Sequence, residues 1–285
     1  MNVLSLFDGI SCGMIALERA GISVENYYAS EIKKIAIKCS HYNYPNIIHI
    51  GDVRNVYYKD GILHTENGCF YGKIDLLIGG SPCQDFSVLN SWGCGLKGEN
   101  SRLMFEYFRL IKEINPTYFL LENVPIRFHS QLKLINEMLG VKPIEINSSD
   151  FSFQTRLRWY WTNIEIKYLK KSPKNFQDYI DKNEEYCDNF IMNKTPSRDK
   201  MFIKCKDITH AEKIGCVTRK QDRYPNSGLV HYKNYARFLT TRELELAQTL
   251  PPGYTSCLSK LQAQDVIGDG WTVDVIAEIL RNIGR

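Results

Sequence analysis

The chain has 285 residues, 44% hydrophobic and 24% charged, proportions that exclude disordered, collagen-like and coiled-coil classes. No stretch approaches 18 uncharged apolar residues and no basic leader precedes an apolar run, so neither a membrane span nor a secretory signal is expected, and a cytoplasmic protein is. The net charge of +4 is unevenly placed: residues 1–150 hold 14 basic against 16 acidic side chains, and residues 151–285 hold 22 against 16. That split suits a slightly acidic half that binds a small molecule, joined to a basic half that meets a polyanion.

In chain order, residues 3–7 read as a strand, followed by a glycine turn and a helix over about 11–20 that Gly21 closes. Residues 26–30 form a second strand before a helix at 33–41, and 47–50 a third that ends at Gly51 and Asp52. The clearest buried strand, 74–78, runs into Gly79-Gly80-Ser81-Pro82-Cys83. Apolar positions at helical spacing fill 103–114 and stop before Pro116. A strand at 118–121 leads into Glu122 and Asn123, a helix takes 130–139, and two antiparallel strands are expected near 144–146 and 158–163. Strands alternating with helices predict an α/β fold on a mostly parallel sheet. Periodicity decays over 166–206, which is rich in Lys and Asn, and returns as helices at 241–249 and 272–282. The expected organisation is a large domain at 1–165, a small polar region at 166–235 and a return to the large domain at 236–285.

Three features stand at the carboxyl ends of expected strands, the edge where open α/β sheets gather ligands: Phe7-Asp8-Gly9, Ser81-Pro82-Cys83 and Glu122-Asn123. The turn from Asp8 to Gly13 lacks the spaced glycines of dinucleotide folds, but a glycine turn feeding a helix N-terminus suits a nucleotide-like ligand. Glu31, ending the second strand, is placed to accept hydrogen bonds from ribose hydroxyls, and Asp52, after the third, to reach an adenine amino group. Nine cysteines without CxxC spacing or a Cys/His cluster imply reduced thiols and no metal site. Cys83 differs from the others because Pro82 and the preceding glycines hold it on a stiff turn, whereas Cys39 or Cys216 suits an apolar interior. It is the candidate nucleophile.

The ordered series Phe7-Asp8-Gly9, Glu31, Gly51-Asp52-Val53, Gly80-Ser81-Pro82-Cys83-Gln84, Glu122-Asn123-Val124 and Gln154-Thr155-Arg156-Leu157-Arg158 resembles the DNA cytosine-5 methyltransferases. The likeness extends to Arg237-Phe238-Leu239-Thr240-Thr241-Arg242-Glu243 and Gly268-Asp269-Gly270-Trp271, and so covers nearly the whole chain. Within that family, Ala29-Ser30-Glu31 and the run from Gln84 to Asn90 look most like the eukaryotic de novo branch, here in a short stand-alone form. The start six residues before Phe7 and the high Lys, Asn and Ile usage lead to the expectation of a bacterial or phage enzyme with no regulatory domain ahead of it.

The resemblance implies a Rossmann-like methyltransferase fold with a small target-recognition domain, and S-adenosylmethionine as cofactor. Phe7, Gly9, Ile10, Glu31, Asp52, Val53, Pro82, Leu103 and Trp271 would line the cofactor site. Cys83, Glu122, Arg156 and Arg158 would carry catalysis on a cytosine flipped out of duplex DNA. Arg156 and Arg158, two apart on a strand, would share one face, one of them holding the cytosine carbonyl. The basic segment 166–223 would read the DNA, with Arg219 on guanine and Lys220 and Arg223 beside it, while a loop at 88–100, next to Ser87, closes over the flipped base. A cognate restriction endonuclease is a possible partner. A tRNA methyltransferase of the same fold is the nearest alternative; Ser81, where those enzymes usually carry proline, favours DNA. A catalytically silent DNA-binding relative is the other, and the retained Cys83, Glu122, Arg156 and Arg158 oppose it. One departure stands out: much of the family has Gly-Asn where this chain has Gly268-Asp269.

Overall fold

In the computed structural model, which describes residues 1–82 and 99–284 (main chain alone for 99–101), the chain divides into two compact units. The first comprises Met1–Ile146, Leu157–Leu169 and Ile276–Arg285, and the second Asn147–Arg156 and Lys170–Val275.

The first unit is built on β1 (Asn2–Leu6), β2 (Asn26–Ser30), β3 (Ile48–Gly51), β4 (Tyr57–Lys59), β5 (Ile62–Thr65), β6 (Gly68–Tyr71), β7 (Leu76–Gly79), β8 (Tyr118–Asn123), β9 (Ile144–Asn147) and β10 (Leu157–Thr162). Seven of them form one sheet in the order β3-β2-β1-β7-β8-β10-β9. β3, β2, β1, β7 and β8 run parallel, and β10 pairs antiparallel with β8, Tyr160 opposite Glu122. Every residue of β7 is buried, as expected for an uncharged apolar run between parallel neighbours. The connecting helices are α1 (Cys12–Ala20), α2 (Lys34–Asn43), α3 (Glu99–Ile114) and α4 (His129–Leu139). α1 buries Ile15, Ala16 and Leu17 and stops at Gly21, whose φ of 75° the left-handed cap requires. Leu4, Leu6, Leu77, Tyr107, Phe108 and Leu121 form the centre of the core. Full burial of one such aliphatic side chain stabilises by roughly 1.5–3 kcal/mol. Gly79 is closely packed there: a Cβ would come within 3.1 Å of the Leu6 carbonyl oxygen and the Tyr107 ring, which would have to give by a few tenths of an ångström.

Strand order reverses between β1 and β7, so the crevice that such a switch point opens lies at their carboxyl ends. β4, β5 and β6 form a separate antiparallel meander between β3 and β7. Its three- and four-residue strands carry too little alternation to stand out in the sequence.

The second unit holds α5 (Glu184–Asp188), α6 (Pro196–Lys204), the hairpin β11 (Val230–Tyr232) and β12 (Tyr235–Arg237), α7 (Thr241–Ala247) and α8 (Lys260–Asp269). α9 (Val273–Leu280) runs across the junction at Val275. Met192, Leu229, Ala236 and Phe238 form a small core with Met201 and Tyr235 packed on it. α7 and α8 each begin with a reciprocal capping box, Thr240 with Glu243 and Ser259 with Gln262.

These divisions differ from the expected junctions after 165 and 235. Asn147–Arg156 already belongs to the second unit, and the chain returns to the first only at Ile276. The motif at 237–243 stays in the second unit because Arg237 pairs with Val230 across the hairpin and donates to both oxygens of the buried Glu243 carboxylate. Among the described residues no helix is long and apolar enough to cross a membrane.

Candidate active site

The first group of site residues gathers at the carboxyl ends of β1, β2 and β3. Phe7 (φ 58°), Gly9 (φ 63°) and Ser11 (φ 59°) all take left-handed backbone, which coils the chain tightly from β1 into α1. A Cβ at Gly9 would meet nothing within 4 Å, so open space lies before the turn. Asp8 is an internal anchor: its carboxylate accepts from Tyr27 Oη at 2.7 Å and Ser11 Oγ at 2.5 Å. Ile10 is fully buried, whereas Phe7 and Leu103 pack on the core while partly exposed.

Glu31 accepts from the N–H groups of Ile32 and Lys33 through Oε1, and from Gly9 through Oε2 at 2.8 Å. Burial raises its pKa against the opposing pull of these three donors. Oε2 keeps one lone-pair position beyond its Gly9 bond, which is what a ribose hydroxyl needs. Asp52 caps the 3-10 turn Val53–Asn55 by accepting from Arg54 N at 3.0 Å, and the Arg54 guanidinium also grips both its oxygens and lowers its pKa. Val53 is buried beneath.

The second group lies where β7 and β8 end. Asn123 Nδ2 donates to Ser81 Oγ at 3.0 Å and to the Ser81 carbonyl oxygen at 3.2 Å, and Asn123 Oδ1 accepts from Val124 N. This buried clamp fixes the approach to Pro82, the last residue described before Cys83. The sequence reading names Glu122-Asn123 as a strand-end feature but gives Asn123 no role of its own; its place inside the Glu-Asn-Val motif was the available signal. Cys83, Ser87 and the expected loop at 88–98 lie outside the described residues, and α3 begins at Glu99.

Glu122 is 8% exposed, and Arg158 Nε donates to its Oε1 at 3.0 Å. The antiparallel register places Trp159 opposite Asn123 and Tyr160 opposite Glu122, which brings Arg158 to the edge where β8 ends. A nearly buried carboxylate fixed by a guanidinium beside the Ser81–Pro82 turn can orient on a ring nitrogen of a bound base.

Arg156 does not share that face. It precedes β10, is 5% exposed, and Nη1 donates to the Val217 carbonyl at 2.7 Å and Nη2 to the Gly270 carbonyl at 3.0 Å. Gln154 is likewise internal, donating to the Ala247 carbonyl and the Gln248 side chain and accepting from Val217 N. The expected pair therefore separates: Arg158 goes to Glu122, and Arg156 holds the second unit together because its donors are met by main-chain acceptors.

Arg219 receives a similar correction. The fork assigned to guanine lies on Asp265 of α8, Nε to Oδ1 at 2.9 Å and Nη2 to Oδ2 at 3.1 Å, with Asp269 at 3.6 Å. Gly268 explains why the last motif is shaped as it is: a Cβ there would stand 2.4 Å from Arg219 N, so only glycine admits the 218–219 backbone. Asp269, the departure from Gly-Asn, is part of the Arg219 cluster. Lys220 (φ 54°) and Arg223 are exposed at the tip of the same loop. Trp271 lies half-buried in the second unit, just before α9.

Comparison with known proteins identifies the family and the fold. The model of the C-5 cytosine-specific DNA methylase family matches residues 1–141 and 130–285. An orphan methyltransferase of Bacillus phage rho11s is 37% identical over 126 residues, which cover 44% of this chain and 23% of the relative; the chain thus spans about a quarter of that relative's length. A type II methyltransferase of Lactococcus lactis subsp. cremoris is 27% identical over 98% of this chain and 76% of its own. Among solved structures, the Dnmt2 methyltransferase of S. pombe (TM-score 0.76, 16% identity, 100% of both chains) and the methyltransferase EhMeth of Entamoeba histolytica (TM-score 0.76, 17% identity, 99% and 97%) share the fold. Motif order, sheet topology and the family match lead to one conclusion: the chain belongs to the C-5 cytosine-specific DNA methylase family.

Proposed function

We propose that this chain transfers a methyl group from S-adenosylmethionine to carbon 5 of a cytosine flipped out of duplex DNA. The observation that carries the reading is the Glu122–Arg158 pair beside the Ser81–Pro82 turn that Asn123 fastens, all at one sheet edge with the Gly9 and Glu31 turn. The described residues fit the cofactor: Glu31 suits ribose hydroxyls, Asp52 and Val53 the adenine, and the open space before Gly9 the methionine chain beyond the ribose. S-adenosylmethionine, when bound, supplies an activated methyl group.

The chain's own residues prepare the base. The Cys83 thiolate adds to ring carbon 6, and the electron pair so displaced makes carbon 5 nucleophilic. Glu122 holds ring nitrogen 3 and its proton, which offsets the negative charge of the adduct, and Arg158 keeps that carboxyl in place. After methylation the carbon 5 proton leaves and the Cys83–carbon 6 bond breaks, restoring the thiolate. The second unit serves target recognition, with Lys220 and Arg223 on phosphate or base, while Ser87, from the first unit's stretch of the chain, would contact the DNA. Arg156 and Arg219 act as positioning residues, since their guanidiniums are already engaged. A nuclease of the same site specificity is the proposed further partner, supported by the type II designation of the Lactococcus relative.

Tritiated-methyl transfer to duplex DNA and to tRNA, together with trapping on 5-fluorocytosine DNA, tests the reading. Wild-type protein is expected to label DNA and form the trapped adduct, and Cys83→Ala to lose both while binding cofactor. Labelling of tRNA alone, or full activity in Cys83→Ala, would overturn it.

A further inference from the structure

The turn 52–56 is braced from two sides by elements that the proposed chemistry does not use. On one side stands the β4–β6 meander. At its β5–β6 turn, Asn67 Nδ2 donates to the His49 carbonyl of β3 at 2.7 Å. Glu66 Oε1 accepts from Asn55 Nδ2, and Glu66 Oε2 faces Asp52 N at 3.4 Å. The Glu66 carboxylate also packs over Gly51 (φ 83°), where a Cβ would be 2.3 Å from Oε2. On the other side stands α3, whose Arg109 Nη2 donates to the Val56 carbonyl at 2.7 Å and reaches the Val53 carbonyl at 3.4 Å. Arg109 is itself fixed by Glu106 at 2.7 Å and Glu113 at 2.8 Å, and Glu113 accepts from Tyr58 N at the start of the meander.

We propose that Glu66 and Arg109 are positioning residues for the adenine-facing turn, holding Asp52 and Val53 where a cofactor base is read. The inference rests on the cofactor reading above. Its physical ground is the acceptor count on Asp52. Arg54 N donates to Oδ1, Nη2 donates to Oδ2 and the single Nε–H is shared between the two oxygens, so three N–H donors already sit on the carboxylate and one lone-pair direction remains for an exocyclic amino group. One bond in one direction discriminates only if the carboxylate is aimed, and Arg54, a largely exposed side chain on the same turn, aims nothing beyond the turn. The meander and α3 supply the fixed reference. α3 also carries Leu103, so one helix would set both the apolar wall and the polar edge of the adenine site.

The test compares Glu66→Ala, Glu66→Gln and Arg109→Met in the full-length protein. The measurements are KM for S-adenosylmethionine and kcat on duplex DNA, and equilibrium binding of S-adenosylhomocysteine against its 6-oxo (inosyl) analogue. Wild-type protein is expected to prefer the adenine form by roughly tenfold, the worth of one well-placed hydrogen bond. Arg109→Met and Glu66→Ala should raise KM about three- to tenfold, leave kcat at saturating cofactor within about twofold, and shrink the preference. Glu66→Gln keeps one acceptor oxygen, for Asp52 N, and presents an N–H to Asn55, whose amide can turn to accept it, so its effect should lie between wild type and Glu66→Ala. A role confined to stability would lower the melting temperature without moving the adenine preference, and that outcome overturns the proposal. So does a fall in kcat at unchanged KM, or Glu66→Gln as damaging as Glu66→Ala. Glu66 lies on an exposed turn, so its variants decide the matter if Arg109→Met fails to fold. Wild-type protein that binds no S-adenosyl compound overturns the cofactor reading as well; binding with unchanged preference in every variant overturns the brace alone.

Discussion

At the carboxyl edge of the first unit, polar side chains are held mainly from behind. Glu31 is fixed by three main-chain N–H donors and Glu122 by one guanidinium, so each is oriented before a ligand arrives. In the second unit the charges are paired internally instead. Arg156 is met by two carbonyls, Arg219 by the two Asp265 oxygens, and Arg237, 1% exposed, by both oxygens of Glu243. The same residue types thus do different work according to what their partners leave over. A carboxylate oriented at the sheet edge is equipment for chemistry, and a guanidinium paired within its own unit is framework.

The sharpest way to break this contrast is Glu122→Gln, for which we expect single-turnover methylation to fall about a hundredfold or more with little change in DNA affinity. An unchanged rate would remove Glu122 from the proton-handling role. Next come two arginines of one motif, treated alike. Arg156→Met strands buried carbonyls and should cost about 3 kcal/mol, read as a lower urea midpoint. Arg158→Met leaves the nearly buried Glu122 carboxylate without its guanidinium, so it should also lower the midpoint, by about 1–3 kcal/mol of stability, and in addition lower kcat. A loss of kcat in Arg156→Met as large as in Arg158→Met, among molecules that remain folded, would erase the distinction between the two positions.

Glu31 carries a smaller, pH-dependent effect. Ribose hydroxyls donate to the ionised carboxylate, and burial has raised the pKa, so cofactor affinity should begin to weaken at a pH above the ordinary carboxylate range. In the limit the loss is about tenfold per pH unit below that pKa, because only the ionised fraction binds. Glu31→Gln should bind more weakly at neutral pH and show a flat profile. A wild-type profile as flat as the variant's would show that Glu31 does not titrate against the ligand.

Much of the first unit was legible because its signals are local. Apolar runs such as 74–78 have nowhere to go but a buried strand, and Gly21 closes α1 as its position requires. The sites at strand ends followed from the same reading, since sheet topology carries them to one edge. Arg156 was misread because alternation along the chain predicts a shared face only inside a strand, and β10 starts one residue later. Arg219 was misread because its partner Asp265 lies 46 residues further on, and no spacing rule reports so distant a pair. The meander escaped because three- and four-residue strands pair with each other rather than with the core sheet. For the two arginines, what the sequence hid was a long-range partner; for the meander it was the shortness of the strands.

The smallest expected effect tests the least legible assignment. Arg219 keeps 38% of its side chain exposed, so solvent screens its ion pair with Asp265, and Arg219→Met should cost only about 0.5–1 kcal/mol. Asp265→Asn should cost a similar amount, and the double variant no more than either alone, because the two changes remove one interaction. Site preference on DNA should survive all three. Exposed Lys220 and Arg223 on the same loop offer the opposite pattern: Lys220→Ala and Arg223→Ala should weaken DNA binding and flatten its salt dependence by about one phosphate contact each, at little cost in stability. If Arg219→Met instead relaxes the sequence preference while stability holds, the Asp265 pair opens on DNA, and the fork is a reader held in reserve rather than a strut. The salt slope separates these outcomes, because a strut releases no counterions when it is removed and a phosphate contact does.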